Sequence, residues 1–330
     1  MDNKLGSLLE KLELRDKNTE RVFFDFKDLS FVGGNQKALT LGSESYNLGD
    51  ESFTTICRVL DIPKVFANRC DKPLQENIFN HLMSKREGTM FSMLTEGDRV
   101  RSFLSPQYPY VSSFKVVETE LEQYGSELEV GNYHLDDNVL EFVAFTPEFD
   151  QNVIDSPVRG GIRIVHSDSW SVFPRFDAYL YRVLCTNGLI SPLEHRKFRV
   201  SGKSEDDVLE QVKEFVTIAL QQIPAMFDGF LALEGLKIEN FTAMIRKICV
   251  ENRLPKKIRE ILVETSVTPE FKATIRNNIH TMYDLVNLFT YVASHNTDLS
   301  EAHREHLHEI AGNMTLHQST RCGSCGGSVE

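Results

Sequence analysis

The spacing of apolar residues changes near Ser204, and this change most limits what the chain can fold into. Before it, segments such as VLEFVAF (residues 139–145) alternate apolar and polar side chains, as a strand with one buried face does. After it, Val208, Val212 and Phe215 follow one face of a helix. The pattern predicts an α+β fold, with an antiparallel sheet in the first two thirds and helices from the last third packed on it.

Local signals support this division of the chain. Ser204 precedes three acidic residues, which is typical of the first turn of a helix, and Glu96-Gly97-Asp98 lies between two apolar runs as a hairpin turn does. We therefore expect four parts: an N-terminal helix and strand in residues 1–44, a mixed α+β core domain in residues 45–203, a helical part in residues 204–315 and a flexible tail in residues 316–330.

The charge of the chain argues against one broad class of function. Its 36 basic and 48 acidic residues give a formal net charge of -12, and the pI is near 5.4. A protein that coats nucleic acid with its whole surface needs the opposite balance. An acidic protein still binds nucleic acid when its basic residues are gathered on one face, so the distribution of charge matters more than its sum.

Three features predict a soluble protein of a reducing cytoplasm. The six cysteines are scattered, apart from Cys322 and Cys325, and do not form the framework of a disulfide-rich domain. The first residues carry charges every few positions, unlike a signal peptide. No stretch approaches the roughly 20 apolar residues that span a bilayer, so we expect no membrane partner.

The segment from Ser156 to Lys203 concentrates positive charge and aromatic rings. It holds eight basic and three acidic residues, a net charge of +5, so the rest of the chain carries -17. Arginines that pair with phosphates and rings that stack on bases are what single-stranded nucleic acid requires, and stacking contributes about 1–3 kcal/mol per base. The candidate phosphate ligands are Arg159, Arg163, Arg175, Arg182 and Lys197, and the candidate stacking rings are Trp170 and Tyr179. The alternative is that the rings belong to the core and the arginines to solvated strand faces.

A second basic run, from Arg246 to Arg259, has six basic residues and one acidic residue. Lys256 and Lys257 follow Pro255 at a predicted helix start, where cations oppose the helix dipole unless an anion lies nearby. A phosphate backbone would supply that anion, so both lysines join the candidate nucleic-acid site. The alternative is an ordinary solvated helix end.

The C-terminus carries one pair of cysteines with the spacing of metal ligands. Two residues separate Cys322 from Cys325, and His317 lies upstream, so the three could contribute to a zinc site. One such pair is half of a typical zinc site. Free thiols in a flexible tail and a redox pair are the alternatives.

Common catalytic motifs are absent from the sequence. It contains no phosphate-binding GxxxxGK[ST], no GxGxxG, no GxSxG and no HExxH. His166 and Asp168 would share one face of a strand and could act as an acid–base pair or as metal ligands. The balance favours a binding protein over an enzyme.

The run HSDSWSVFPRFDAYLYRVLCTNGL, from His166 to Leu189, resembles a signature of phage- and plasmid-like proteins catalogued as a domain of unknown function. In those proteins a His-Asp-Gly turn precedes an Arg-Val-x-Cys-x-Asn strand, which corresponds here to residues 182–187. The segments DRVRSFLSPQYPYVSS and MYDLVNLFTYVASHN are also similar to that family, and the resemblance spans residues 45–315. The turn here reads His-Ser-Asp-Ser and departs from the family pattern.

The resemblance implies a gene of a mobile genetic element that acts in the cytoplasm of its host, and it implies no mechanism. Together with the basic and aromatic segment, it predicts a protein that binds or anneals single-stranded DNA in replication or recombination and that can form homo-oligomers. The alternative is a virion-associated protein, or one that binds phage or host proteins, whose acidic surface keeps it off nucleic acid.

Overall fold

The computed structural model describes residues 3–124, 129–153, 156–182, 187–191, 198–272 and 280–317. These residues form two β-sheets, which lie within residues 19–191, and the longest helix follows Ser204. The predicted α+β class is confirmed. The helices are α1 (Asn3–Asn18), α2 (Asp50–Val59), α3 (Lys64–Ala67), α4 (Lys72–Ser84), α5 (Ser113–Tyr124), α6 (Glu205–Ala232), α7 (Phe241–Glu251), α8 (Lys256–Thr265), α9 (Pro269–Lys272), α10 (Met282–His295) and α11 (Glu301–His317).

The first sheet comes from the N-terminal third of the chain. Its strands are β1 (Thr19–Asp25), β2 (Leu29–Val32), β3 (Ala38–Leu41), β4 (Glu44–Leu48), β5 (Met90–Glu96) and β6 (Arg99–Leu104), in the order β1-β5-β6-β4-β3-β2. The predicted hairpin around Gly97 is present, since β5 and β6 are antiparallel neighbours. In contrast, β4 and β6 pair in parallel, an arrangement that the sequence did not indicate.

The second sheet holds most of the basic and aromatic segment. Its strands are β7 (Glu129–Leu135), β8 (Val139–Phe145), β9 (Gln151–Val153), β10 (Ser156–Ser167), β11 (Arg175–Arg182) and β12 (Asn187–Ser191), in the order β12-β11-β10-β8-β7, with β9 also paired to β10. In β10, Ile162 lies opposite buried alanines of β8 and β11 and packs into the core beneath α6. Because successive side chains of a strand point to opposite faces, Arg163 lies on the outer face.

The buried apolar residues form two clusters. The first lies between Phe24 and Phe103 and combines the first sheet with α2, α3 and α4. The second combines the second sheet with α1, α5 and the C-terminal helices. Apolar residues of α1 thus belong to the second cluster, whereas those of β1 belong to the first. The domain boundaries proposed at residues 44, 203 and 315 stay predictions.

Helix α6 begins as the sequence predicts. The Ser204 hydroxyl accepts a hydrogen bond from the Asp207 backbone N–H at 3.2 Å, and the Asp207 carboxylate accepts one from the Ser204 N–H at 3.0 Å, which forms a capping box. By length and hydropathy, the helical stretch Glu205–Gly235 could cross a membrane, and half of its apolar window is buried in the protein. The sequence inspection missed this stretch. The expected lack of a membrane partner stays a prediction.

A buried polar network joins the two sheets at Asp168, in the turn after β10. Its Oδ2 accepts a hydrogen bond from Nη2 of Arg101 of β6 at 2.7 Å, and its Oδ1 accepts two from the backbone and hydroxyl of Ser113, at 2.8 and 2.6 Å. His166 Nε2 lies 2.9 Å from the carbonyl oxygen of Val111 and 3.8 Å from Oδ1 of Asp168. The pair that the sequence suggested for chemistry is therefore shielded from solvent and engaged in structural contacts.

Candidate nucleic-acid interface

The outer face of the second sheet carries three of the predicted phosphate ligands. Between β7, β8, β10, β11 and α11 lies a depression of about 810 Å³, which we call the sheet groove. Arg159, Arg163 and Tyr179 line it, and Arg175 lies beside it through a shared ion pair. Tyr181 of the same segment also lines it, and residues outside the segment complete the wall: Lys4, Glu129, Val130, Gly131, Asn132, Glu141, Val143, Phe145, Glu301, Arg304, Glu305 and His308.

Carboxylates of the same chain neutralise these arginines. Arg159 contacts Glu129 at 2.7 Å and Asp150 at 3.2 Å. Arg163, whose side chain is 9% exposed, contacts Glu141 at 2.7 Å, Glu305 at 2.9 Å and Asp177 at 3.5 Å. Phosphates would have to compete with fixed carboxylates for every one of these cations.

Glu305 of α11 holds the helix onto the sheet. It pairs with both Arg163 and Arg175. Burial raises the pKa of the Glu305 carboxyl, but the two guanidinium groups lower it by more than burial raises it. The pKa of Glu305 therefore lies below the usual value. The carboxylate is thus charged at neutral pH and remains available to both arginines.

The rings of the groove form a continuous platform. The Phe145 ring lies 6.0 Å from that of Tyr179 and 5.6 Å from that of Tyr181, measured between centroids. The two tyrosine rings stack at 6.5 Å, and the Arg159 guanidinium lies 4.8 Å from the Phe145 centroid. Tyr179 is therefore part of a ring cluster on a face whose charges are balanced.

Trp170 lies in a different depression, of about 410 Å³, where the two hydrophobic clusters meet; we call it the aromatic cleft. Six aromatic rings line it: Phe91, Phe103, Tyr108, Trp170, Phe173 and Phe198. Its two cations are Arg58 and Arg199. The wall is completed by six hydroxyl residues, Thr55, Ser102, Ser105, Ser169, Ser171 and Ser201, and by Val59, Val172, Pro174 and Val200. Phe91 and Phe103 pack with the first cluster, whereas Trp170, Tyr108 and Phe198 pack with the second. Small-ligand sites often lie at such junctions and enclose about 300–1,000 Å³.

The backbone and one hydrogen bond fix the indole of Trp170. Its φ of 56° lies in the left-handed region, which is uncommon for a bulky side chain and costs roughly 1–3 kcal/mol. Its Nε1 donates to the carbonyl oxygen of Pro109 at 2.8 Å, and the His166 ring meets it edge-on at 5.4 Å. The side chain remains half-buried, which leaves part of the ring facing the cleft.

The aromatic cleft carries positive charge at two exposed cations, Arg58 and Arg199. Among the described residues, no aspartate or glutamate lines it. Arg58 is exposed on α2, with no carboxylate within ion-pair distance in the described part of the chain. Arg199 is also exposed, and its backbone is held by two hydrogen bonds to the Gln211 side chain, at 2.9 and 2.7 Å. Beside these cations Phe173 is 52% exposed.

The structure therefore divides the predicted site. The arginines Arg159, Arg163 and Arg175 lie with Tyr179 on one face, and Trp170 lies at another place. The exposed Lys256 and Lys257 begin α8 and line neither depression, and Lys256 pairs with Glu260 at 3.5 Å. Lys197, Cys322 and Cys325 lie outside the described residues, as do the side chains of Arg182 and His317. The binding of nucleic acid or zinc by the predicted residues stays a prediction.

Sequence reasoning missed Arg58, Phe91 and Tyr108 because they lie outside the basic segment. Only the position of Arg58 on the polar side of an amphipathic helix marked it as exposed. Strand alternation in VLEFVAF did place Glu141 and Val143 on the face opposite the core, so one wall of the sheet groove could have been found.

In the described part of the chain, no group of three or more His, Cys, Asp or Glu side chains is arranged to hold a metal ion. The cysteines that it places, Cys57, Cys70 and Cys249, are free thiols. The resemblance to phage- and plasmid-like proteins stays a prediction. Comparison of the chain with protein-family models, with curated proteins and with solved structures finds no match.

Proposed function

We propose that this protein binds single-stranded nucleic acid and that the aromatic cleft holds one of the bases. The observation that carries the proposal is the composition of the cleft, in which partly exposed rings lie beside Arg58, a cation with no carboxylate within ion-pair distance in the described part of the chain. In a chain with a net charge of -12, such a place attracts an anion that also presents a flat ring. A nucleotide within a single strand has both properties.

The geometry of the cleft favours a single strand over a duplex. A base enters a depression of about 410 Å³ only when it is unpaired and turned out of its stack. Trp170 and Phe173 would contact the face of the base, whereas Arg58 and Arg199 at the mouth would contact the phosphates. In this arrangement the arginines of the sheet groove do not contact the strand.

The choice of DNA from a mobile genetic element follows from the sequence resemblance. A protein of that setting would bind or anneal strands that replication or recombination exposes. The chemistry of the cleft is compatible with either DNA or RNA, and a comparison of oligonucleotides distinguishes them.

Trp170 offers a direct test, because it is the only tryptophan in the chain. We expect a single-stranded oligonucleotide to quench its fluorescence, and the same sequence in duplex form to quench it much less. If the strand makes two phosphate contacts, the logarithm of the binding constant should fall with the logarithm of the salt concentration with a slope of about -1.4. Each contact on a single strand contributes about -0.7 to this slope. Arg58→Ala should reduce that slope by about half.

Two further variants test the proposal without relying on Trp170 fluorescence. With a labelled oligonucleotide followed by anisotropy, Phe173→Ala should cost about 1–3 kcal/mol of binding free energy, because one stacking ring is lost. Arg159→Ala serves as the matched control and should leave binding unchanged, because its charge is already neutralised in the sheet groove. Absence of binding at micromolar protein and low salt, or a loss caused by Arg159→Ala and not by Phe173→Ala, contradicts the proposal.

A further inference from the structure

The sheet groove has a chemistry that differs from that of the aromatic cleft. Four basic side chains and four carboxylates line it, so its formal charge is zero: Lys4, Arg159, Arg163 and Arg304 against Glu129, Glu141, Glu301 and Glu305. A polyanion gains nothing from such a surface, because each phosphate near an arginine also approaches a carboxylate. A ligand that presents both signs of charge fits it better.

One cation of the groove has an unsatisfied donor. The Nε of Arg304 is buried and has no hydrogen-bond partner among the described residues, and its Nη2 donates to the carbonyl oxygen of Thr297 at 3.3 Å. Unlike Arg159 and Arg163, Arg304 has no carboxylate within ion-pair distance in the described residues. Arg304 is only partly buried and lines the groove, so a ligand carboxylate there can pair with its guanidinium.

A carboxylate is available one helical turn away. Glu301 is exposed at the start of α11, and in the described part of the chain it has no ion-pair partner. Residues three apart in a helix lie on the same side, so Glu301 and Arg304 present opposite charges toward the groove. Beside them, the partly exposed rings of Tyr179 and Tyr181, which pack on the buried Phe145, offer apolar contact.

The groove is also long. A second depression of about 310 Å³ adds Tyr133 and His134 and continues the groove along β7. It shares Asn132, Glu141, Val143 and Glu301 with the groove. A small molecule would fill only part of this length. An extended chain with side chains of both charges would contact all of it.

We propose that the sheet groove binds an extended segment of a partner polypeptide, which supplies an acidic group to Arg304, a basic group to Glu301 and an apolar side chain to the rings of Tyr179 and Tyr181. The site is separate from the aromatic cleft. It therefore holds whether or not the cleft binds nucleic acid.

Peptide selection tests this proposal. A displayed library of short random peptides is panned on the full-length protein, and recovered peptides are measured against a charge-swapped variant, Glu301→Lys with Arg304→Glu. The swap keeps the net charge. A matched control swaps the exposed pair Lys247 and Glu251 on α7, which lines neither depression.

We expect selected peptides to contain both acidic and basic residues, and to bind the swapped variant about tenfold or more weakly while binding the control swap unchanged. Tyr181→Ala should weaken the same peptides and provides a second measurement if the swap impairs folding. Three results overturn the proposal: no enrichment above the bare support, equal binding to wild type and swapped variant, or dimerisation abolished by the swap, which assigns the groove to a second copy of the chain.

Discussion

Arg101 and Asp168, 67 positions apart in the sequence, form an ion pair in which Nη2 lies 2.7 Å from Oδ2 and neither side chain is more than 2% exposed. Arg101 also donates to Thr19 Oγ1 at 2.6 Å and to the carbonyl oxygen of Asp137 at 2.9 Å. Every polar group around the guanidinium comes from a different part of the chain. The pair therefore fixes how the two sheets meet.

Removing the charge of Asp168 should strongly destabilise the protein. In Asp168→Asn the Arg101 guanidinium loses its counterion while it remains buried, which costs about 3–5 kcal/mol. Urea unfolding followed by circular dichroism measures the change. The exposed pair Arg86–Asp61 provides the control, and Asp61→Asn should cost no more than about 1 kcal/mol. Equal effects of the two substitutions would refute the structural role of the buried pair.

The same carboxylate should make the protein sensitive to acid. Burial raises the pKa of Asp168, but Arg101, His166 and the Ser113 donors together lower it by more than burial raises it. The pKa therefore lies below the ordinary value of 3.8. A lowered pKa contributes stability above the unfolded value, and that contribution is lost as the pH falls through the folded value. We expect the free energy of unfolding to fall below about pH 4 in wild type and to change less in Asp168→Asn.

Glu120 should have the opposite effect to Asp168 on the pH dependence of stability. The residue is 1% exposed, and in the described part of the chain neither carboxyl oxygen has a hydrogen-bond partner. Burial raises its pKa well above the ordinary value of 4.5. Its contribution to stability is full below the unfolded pKa and is lost as the pH rises through the folded pKa. Glu120→Gln should therefore gain stability relative to wild type as the pH increases. Parallel pH profiles of urea midpoints for the two proteins would show this explanation to be wrong, and the exposed Glu122→Gln on the same helix is the control.

Gly161 should not tolerate a side chain. A Cβ at this position of β10 would lie 2.0 Å from the carbonyl oxygen of Ala144 in β8, and a backbone atom cannot move aside cheaply. Gly161→Ala should lower stability by more than about 4 kcal/mol or prevent folding. Gly6 in α1 has open space around it, so Gly6→Ala should raise the thermal midpoint, because alanine is the better helix former.

The parts of the fold that follow from local patterns could be predicted from the sequence. The capping box at Ser204 and the hairpin around Gly97 each depend on residues within a few positions of one another. The pairing of Arg163 with Glu305 joins residues 142 positions apart, and no local pattern indicates it. Charge counted along a segment therefore overstated the positive charge that this segment presents to solvent.

The separation of Trp170 from the arginines has a similar cause. The residue lies in the turn between β10 and β11, and its left-handed backbone directs the indole toward the cleft rather than along the sheet face. Aromatic content could be read from the sequence, whereas the direction of this one ring depends on a backbone angle that tertiary contacts stabilise.

The position of Arg101 bears on attempts to divide the protein into pieces. Its strand belongs to the first sheet, yet apart from Thr19 its partners all follow residue 104, where β6 ends. A fragment cut at that point would lose the carboxylate that neutralises Arg101, and it would expose Leu8 and Leu12 of α1, which pack in the second cluster. Expression of the N-terminal third alone should thus give an aggregating product, and limited proteolysis should leave the two halves associated.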